Sequence, residues 1–138
     1  MRQVFVDTGA WDAIADGGDP NHELALLFRD EIAGQCWLVT TNYVLDELYT
    51  LLLMNIGYQR TAEFKRQMDV LSREGILEIV WVSPDIAAEA WDVFEQFNSD
   101  KKWSFTDCTS YVVLKQRGIS EAFAFDHHFT QMGFDRRP

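Results

Sequence analysis

A chain of 138 residues has room for one domain around one sizeable core. With 47% hydrophobic and 14% aromatic residues it is far too apolar to remain unfolded. Twelve Lys and Arg against twenty-two Asp and Glu leave a net charge of −10, which argues against a broad basic surface for nucleic acid or anionic membrane. Cys36 and Cys108 stand far apart, with no C-x-x-C partner and no His at ligand spacing, so neither a disulfide framework nor a structural zinc site is expected. No Pro/Gly/Ser-rich linker or repeat divides the sequence, and residues 1–138 read as a single domain.

Residues 3–6 form the first apolar run of strand length. Asp7 interrupts it long before it could become a signal h-region or a membrane span, so a reduced cytoplasmic setting and no membrane association are expected. Asp19-Pro20 predicts a helix N-cap and first helical position, followed by a stripe of Leu24, Leu27, Phe28 and Ile32 that stops at Gly34. A strand over 36–39 leads into a helix over about 41–56, closed by Gly57. The next helix carries Thr61, Phe64, Met68 and Leu71 up to Gly75, and a strand follows over 76–82. Ser83-Pro84 starts a helix with Ile86, Ala90, Trp91, Phe94 and Phe97 on one side, and another runs over about 106–117 to Gly118. The last strand spans 122–125. Strands alternating with helices imply right-handed crossovers and a mainly parallel sheet covered on both faces, with ligands at the carboxyl ends of the strands.

Two strands end in carboxylates, Asp7 and Asp126, which parallel strands bring to one edge. Taken singly, each also reads as an ordinary helix N-cap. On the helical wheel of residues 41–56, Val44, Leu45, Leu48, Leu51 and Leu52 share one arc, Glu47 lies at its margin, and Asp46 points away. Glu47 is therefore expected to border the core and to need a cation or donor. Asp107, near the start of a helix, is favoured as an anion by the dipole, while Ser104 or Thr106 is placed to cap that helix. Four acids gathered at one edge repel by several kcal/mol at an effective dielectric of about 20, and hard oxygen ligands with no His or Cys suit Mg²⁺ or Mn²⁺. Such ions activate water and stabilise displacement at a phosphodiester.

The segments Val-Phe-Val-Asp7-Thr8, Thr-Thr-Asn-Tyr-Val-Leu-Asp-Glu47-Leu, Ser-Phe-Thr-Asp107-Cys and Ala-Phe-Ala-Phe-Asp126-His-His-Phe, in this order, resemble the PIN-domain family over essentially the whole chain. The sequence is most similar to the VapC-like toxin ribonucleases. The resemblance implies a three-layer α/β/α fold with a central, mainly parallel sheet of four to five strands. It also implies a metal-dependent endoribonuclease, the toxin of a toxin–antitoxin pair, in which Asp7, Glu47 and Asp107 bind Mg²⁺ or Mn²⁺ and Asp126 completes the site directly or through water. Thr8 and Thr106 fall on hydroxyl positions beside the acids. RNA as substrate, a cognate antitoxin with a basic C-terminal segment and a homodimer are implied partners. The chain departs from the family at Gly9, where Ser or Asn is common, and at His127-His128, where an Arg is common. The residues alone favour a solvated or packing role for both His and leave ligation open. A non-catalytic module binding a basic peptide and a housekeeping RNA-processing nuclease are the alternatives. A phosphorylated aspartate, as in haloacid-dehalogenase-like phosphatases, is disfavoured because Gly9 stands where a second Asp is wanted.

Among the remaining residues, Trp37, Trp81 and Trp91 are expected in the core, whereas Trp11 and Trp103 neighbour the acids and are candidates for the rim or for burial. Lys101, Lys102, Lys115, Arg117, Arg136 and Arg137 place half the basic residues in the last third, as scattered solubilising charge or a weak phosphate track. Leu53 and Met54 point away from their helix's main stripe, toward a partner or a second buried side.

Overall fold

The computed structural model describes residues 1–138. The elements run β1 (Arg2–Val6), α1 (Thr8–Ala15), α2 (His22–Ile32), β2 (Cys36–Thr41), α3 (Asn42–Ile56), α4 (Tyr58–Arg73), β3 (Leu77–Val80), α5 (Pro84–Phe97), α6 (Phe105–Arg117), β4 (Glu121–Phe123), α7 (His128–Gln131) and β5 (Asp135–Arg137). All four strand pairings are parallel, in the order β3-β2-β1-β4-β5, giving the five-stranded sheet of an α/β/α fold. No helix is long and apolar enough to cross a membrane.

The chain builds outward from β1 to β2 and β3 on one side, then returns to lay β4 and β5 on the other. The reversal leaves a crevice at the carboxyl ends of β1 and β4, where doubly wound sheets bind ligands. Val6 lies opposite Phe123 across that seam, and the Asp7 N–H donates to the Phe123 carbonyl at 3.0 Å. Val4, Phe5, Val6, Val39, Leu48, Leu52, Leu114, Phe123 and Phe129 are buried at the centre of the core. An edge-to-face contact between Phe28 and Phe123, centroids 4.7 Å apart, ties α2 to β4.

Several local expectations shift. Three elements escaped the sequence reading: α1, which begins immediately after Asp7, the four-residue α7, and β5, whose Arg136 and Arg137 disguise a short edge strand. The 19–20 pair is a turn rather than a helix start, since Asp19 Oδ1 accepts from the Asn21 N–H and α2 begins at His22. Its buried face is Ala25, Phe28 and Ile32, while Leu24 and Leu27 are exposed. Strand β4 stops at Phe123, so Asp126 lies in the turn beyond it.

The largest correction concerns tryptophan: Trp37, Trp81 and Trp91 are 43%, 73% and 50% exposed, whereas Trp11 and Trp103 are buried. Trp81 follows the edge strand β3, Trp37 sits near the start of β2, and Trp91 stacks on Phe94 at the outer side of α5 while donating to Glu95. Trp11 and Trp103 instead satisfy their indole N–H groups internally, on Thr40 Oγ1 and Gln131 Oε1 respectively. Leu51, placed on the buried arc of α3 by periodicity, is at the surface, as are Leu53 and Met54.

A buried acid lies at the far end of α1. Asp12 has one carboxylate oxygen with no hydrogen-bond partner, and burial together with the neighbouring Asp19 carboxyl raises its pKa to about 6. The fold thus holds this group better protonated, and stability falls as pH rises from the ordinary carboxyl range through about 6. Asp12→Asn, which presents a neutral amide, is expected to raise the melting temperature at pH 8 and to leave it nearly unchanged at pH 4. An equal shift at both values would rule out this electrostatic cause.

Candidate active site

The crevice between β1 and β4 collects carboxylates from four parts of the chain. Asp7 occupies the N-cap position of α1 with extended backbone angles, yet its side chain makes no capping bond to the helix. The ordinary reading of a strand-ending Asp therefore does not apply to it. Its carboxyl is 7% exposed, and burial pushes its pKa up to about 7. The negative charges of Asp107, Glu47 and Asp126 push in the same direction, and only the Thr8 backbone N–H opposes them. The three other acids therefore all act on Asp7.

Glu47 departs from its expected place on the core margin: it is exposed, on the first half of α3. Its donor is Thr8, whose Oγ1 donates to Glu47 Oε1 at 3.0 Å, linking the first turn of α1 to α3. Thr41 launches α3 at the end of β2, its Oγ1 accepting from the Val44 N–H. A strand-end cap thus sets the helix that carries Glu47 to the sheet's carboxyl edge.

Asp107 is buried in the first turn of α6 and forms a capping box with Ser104. The Asp107 N–H donates to Ser104 Oγ, and the Ser104 N–H donates to Asp107 Oδ2, each at 3.0 Å. The helix N-terminus supplies further positive potential. Thr106, half-buried beside it, receives the Thr109 hydroxyl on its carbonyl at 2.7 Å. Asp126 Oδ1 accepts from the His128 N–H at 2.9 Å, closing the turn that follows β4.

Sequence reasoning left the paired histidines open, and here the two separate. His127 is 74% exposed, with its Nδ1 3.6 Å from Asp126 Oδ1 and its ring centroid 4.7 Å from that of His128. His128 is turned inward at 18% exposure, its Nδ1 lying 2.9 Å from Asp107 Oδ2 and 3.2 Å from Asp126 Oδ2. The turn after β4 decides this difference, and no periodicity in the sequence announces it.

The donor set fits a hard divalent cation. Asp107, Glu47 and Asp126 lie near enough for their charges to act on Asp7, none of the four forms an ion pair with a Lys or Arg, and the possible ligand atoms of Asp126, His127 and His128 lie within 4.8 Å of one another. The basic residues of the last third are engaged elsewhere. Arg117 forks onto Glu78 at 2.7 and 2.8 Å, Arg137 lies near Glu121 and over Phe28, and Arg136 donates to the Phe125 carbonyl. A groove of about 320 Å³ between α2, α4 and the sheet is mostly apolar and contains none of the four acids.

Residues 4–135 match the family described as PIN domain. The sequence is 30% identical over 131 residues, 95% of each chain, to the 23S rRNA-specific endonuclease VapC20 of Mycobacterium tuberculosis. A VapC ribonuclease of Archaeoglobus fulgidus is 25% identical over 129 residues, which cover 92% of this chain and 79% of that one. The crystal structure of Mycobacterium tuberculosis VapC20, described as a sarcin-ricin loop cleaving toxin, superposes with a TM-score of 0.82, covering 98% of this chain and 99% of that one.

Proposed function

The chain belongs to the PIN domain family, and from that premise we propose that it is a VapC-type endoribonuclease, the toxin of a toxin–antitoxin pair, that requires Mg²⁺ or Mn²⁺. The observation that carries the metal requirement is the buried Asp7 carboxyl, pressed by three neighbouring acids and offered no basic side chain. Asp7, Glu47 and Asp107 would hold the cation, with Asp126 completing the site directly or through water. A bound divalent ion supplies charge neutralisation, a more acidic water and polarisation of the phosphodiester.

The remaining work falls to the chain itself. Thr8 orients Glu47 through its hydroxyl, and the capping box immobilises Asp107, so neither acid must be ordered when RNA arrives. The aromatic pair Phe5 and Phe129, centroids 6.4 Å apart, fastens the Asp126 turn to β1. The strongly acidic surface disfavours indiscriminate RNA affinity and suits a selective enzyme. It equally suits a basic antitoxin segment, while exposed Leu53 and Met54 give α3 an apolar surface for a second copy or that antitoxin.

The relatives' substrate makes large-subunit ribosomal RNA the first to try. Purified protein is expected to cleave one or a few positions in a ribosomal RNA preparation with Mg²⁺ or Mn²⁺ and to stop in EDTA. Cleavage undiminished in EDTA would remove the metal mechanism, and tight binding to a basic peptide without cleavage of any RNA would favour a non-catalytic module.

A further inference from the structure

Building on the site reading above, we propose that His128 is a positioning residue that gathers Asp107 and Asp126 into one ligand edge and determines which oxygen of Asp107 is left to face a cation. Its Nδ1 stands 2.9 Å from Asp107 Oδ2 and 3.2 Å from Asp126 Oδ2. Both neighbours are carboxylate oxygens, which only accept, so Nδ1 carries the hydrogen. The backbone N–H of the same residue holds Asp126 Oδ1 at 2.9 Å. One residue thus holds Asp126 through its backbone N–H and Asp107 through its imidazole, with Asp126 Oδ2 alongside the same ring nitrogen.

On Asp107 the consequence is selective. Oδ2 receives two donors, His128 Nδ1 and the Ser104 N–H at 3.0 Å, while the hydrogen bonds to this carboxylate leave Oδ1 uncommitted. The rigid capping box and the imidazole together fix the rotation of the carboxylate, presenting one particular oxygen. Outer partners that orient metal-binding carboxylates in this way commonly alter metal affinity about 10- to 100-fold when removed.

The imidazole is itself well anchored. Phe129, the next residue, is fully buried against Phe5, two residues before Asp7 in β1, so the backbone that carries the ring is fixed to the core. His127 lacks this anchorage and lies in solvent. The Asp126-His127-His128 segment therefore contributes one inward imidazole that reaches Asp107 and one exposed imidazole beside Asp126.

The test compares His128→Leu, which keeps bulk and deletes the donor, with His128→Asn, whose amide N–H can occupy the place of Nδ1. Mn²⁺ binding is followed by electron paramagnetic resonance and calorimetry on the whole protein, with metal-free melting and circular dichroism as fold controls. His128→Leu is expected to stay folded and to bind Mn²⁺ about 10- to 100-fold more weakly, with an altered spectrum, whereas His128→Asn regains most of the affinity and His127→Leu loses little. Wild-type affinity in folded His128→Leu would overturn the proposal while leaving the metal site intact. So would an Asn variant as weak as Leu, which would point to direct ligation through Nε2. Should His128→Leu not fold, His128→Asn decides it: affinity close to wild type supports the proposal, and a loss of about 10- to 100-fold overturns it. A wild-type protein that binds no Mn²⁺ would instead overturn the site reading, and this proposal with it.

Discussion

Asp7→Asn is expected to abolish metal-dependent cleavage and, at pH 8 in EDTA, to make the protein more stable. The two effects have one origin. Burial and three like charges raise the Asp7 pKa from 3.8 to about 7, so the folded state binds this proton more tightly than the unfolded chain does. For a carboxyl shifted upward, the charged form costs nothing below the unfolded pKa and progressively more as pH rises toward the folded value. Above about pH 7 the cost levels off, at an upper bound of roughly 4 kcal/mol. Asn resembles the protonated acid in shape and carries no charge, so most of that cost disappears, and with it the ligand. Melting curves at pH 8 and pH 4 separate the terms, since the stabilisation should vanish at the lower value. A folded Asp7→Asn protein that still cleaves RNA would sink the proposed site, and one that is less stable at pH 8 would sink the electrostatic account.

Phe123→Ala should be the most damaging single truncation, costing about 3–5 kcal/mol. The side chain is 1% exposed and packs edge-to-face on Phe28 at 4.7 Å. A domain with about 5–15 kcal/mol of total stability would lose a large share of it. Urea unfolding measures the loss, and Trp81→Ala, removing a residue 73% exposed, is the matched control with an effect within about 0.5 kcal/mol. A Phe123→Ala midpoint close to wild type would mean that the contact of Phe123 with Phe28 adds little to the packing between α2 and β4. Activity should fall along with stability as the folded fraction drops, since the Asp7 N–H bond to the backbone carbonyl of residue 123 does not itself depend on the side chain.

Much of the architecture was legible from the alternation of strand-length apolar runs with capped helices. Ser83-Pro84 begins α5 and Gly118, at φ 65°, ends α6, as their local chemistry predicts. The misses share a cause. Elements α1, α7 and β5 are short, and their sequences carry too few residues to express a period. The exposed tryptophans were misjudged because an apolar run or stripe shows only that some face is to be covered. Trp37 near the start of β2, Trp81 just beyond β3 and Trp91 on the outer side of α5 lie where no packed element fully covers them, which only the tertiary arrangement decides.

At the site, the sequence by itself determined the order and types of four acids, two of them placed by strand ends and two by helices, together with an excess of negative charge that no cysteine or basic cluster offsets. These features follow from covalent order and local periodicity. Tertiary structure alone decided the rest: that Asp7 is buried without a capping role, that Glu47 is exposed and held by Thr8, and that His128 faces inward while His127 does not. Each of these depends on groups brought together from distant parts of the chain, as Thr8 and Glu47 or Asp107 and His128 are. Hydrogen bonding and desolvation act through space, and the parallel sheet's reversal at β1 creates that proximity.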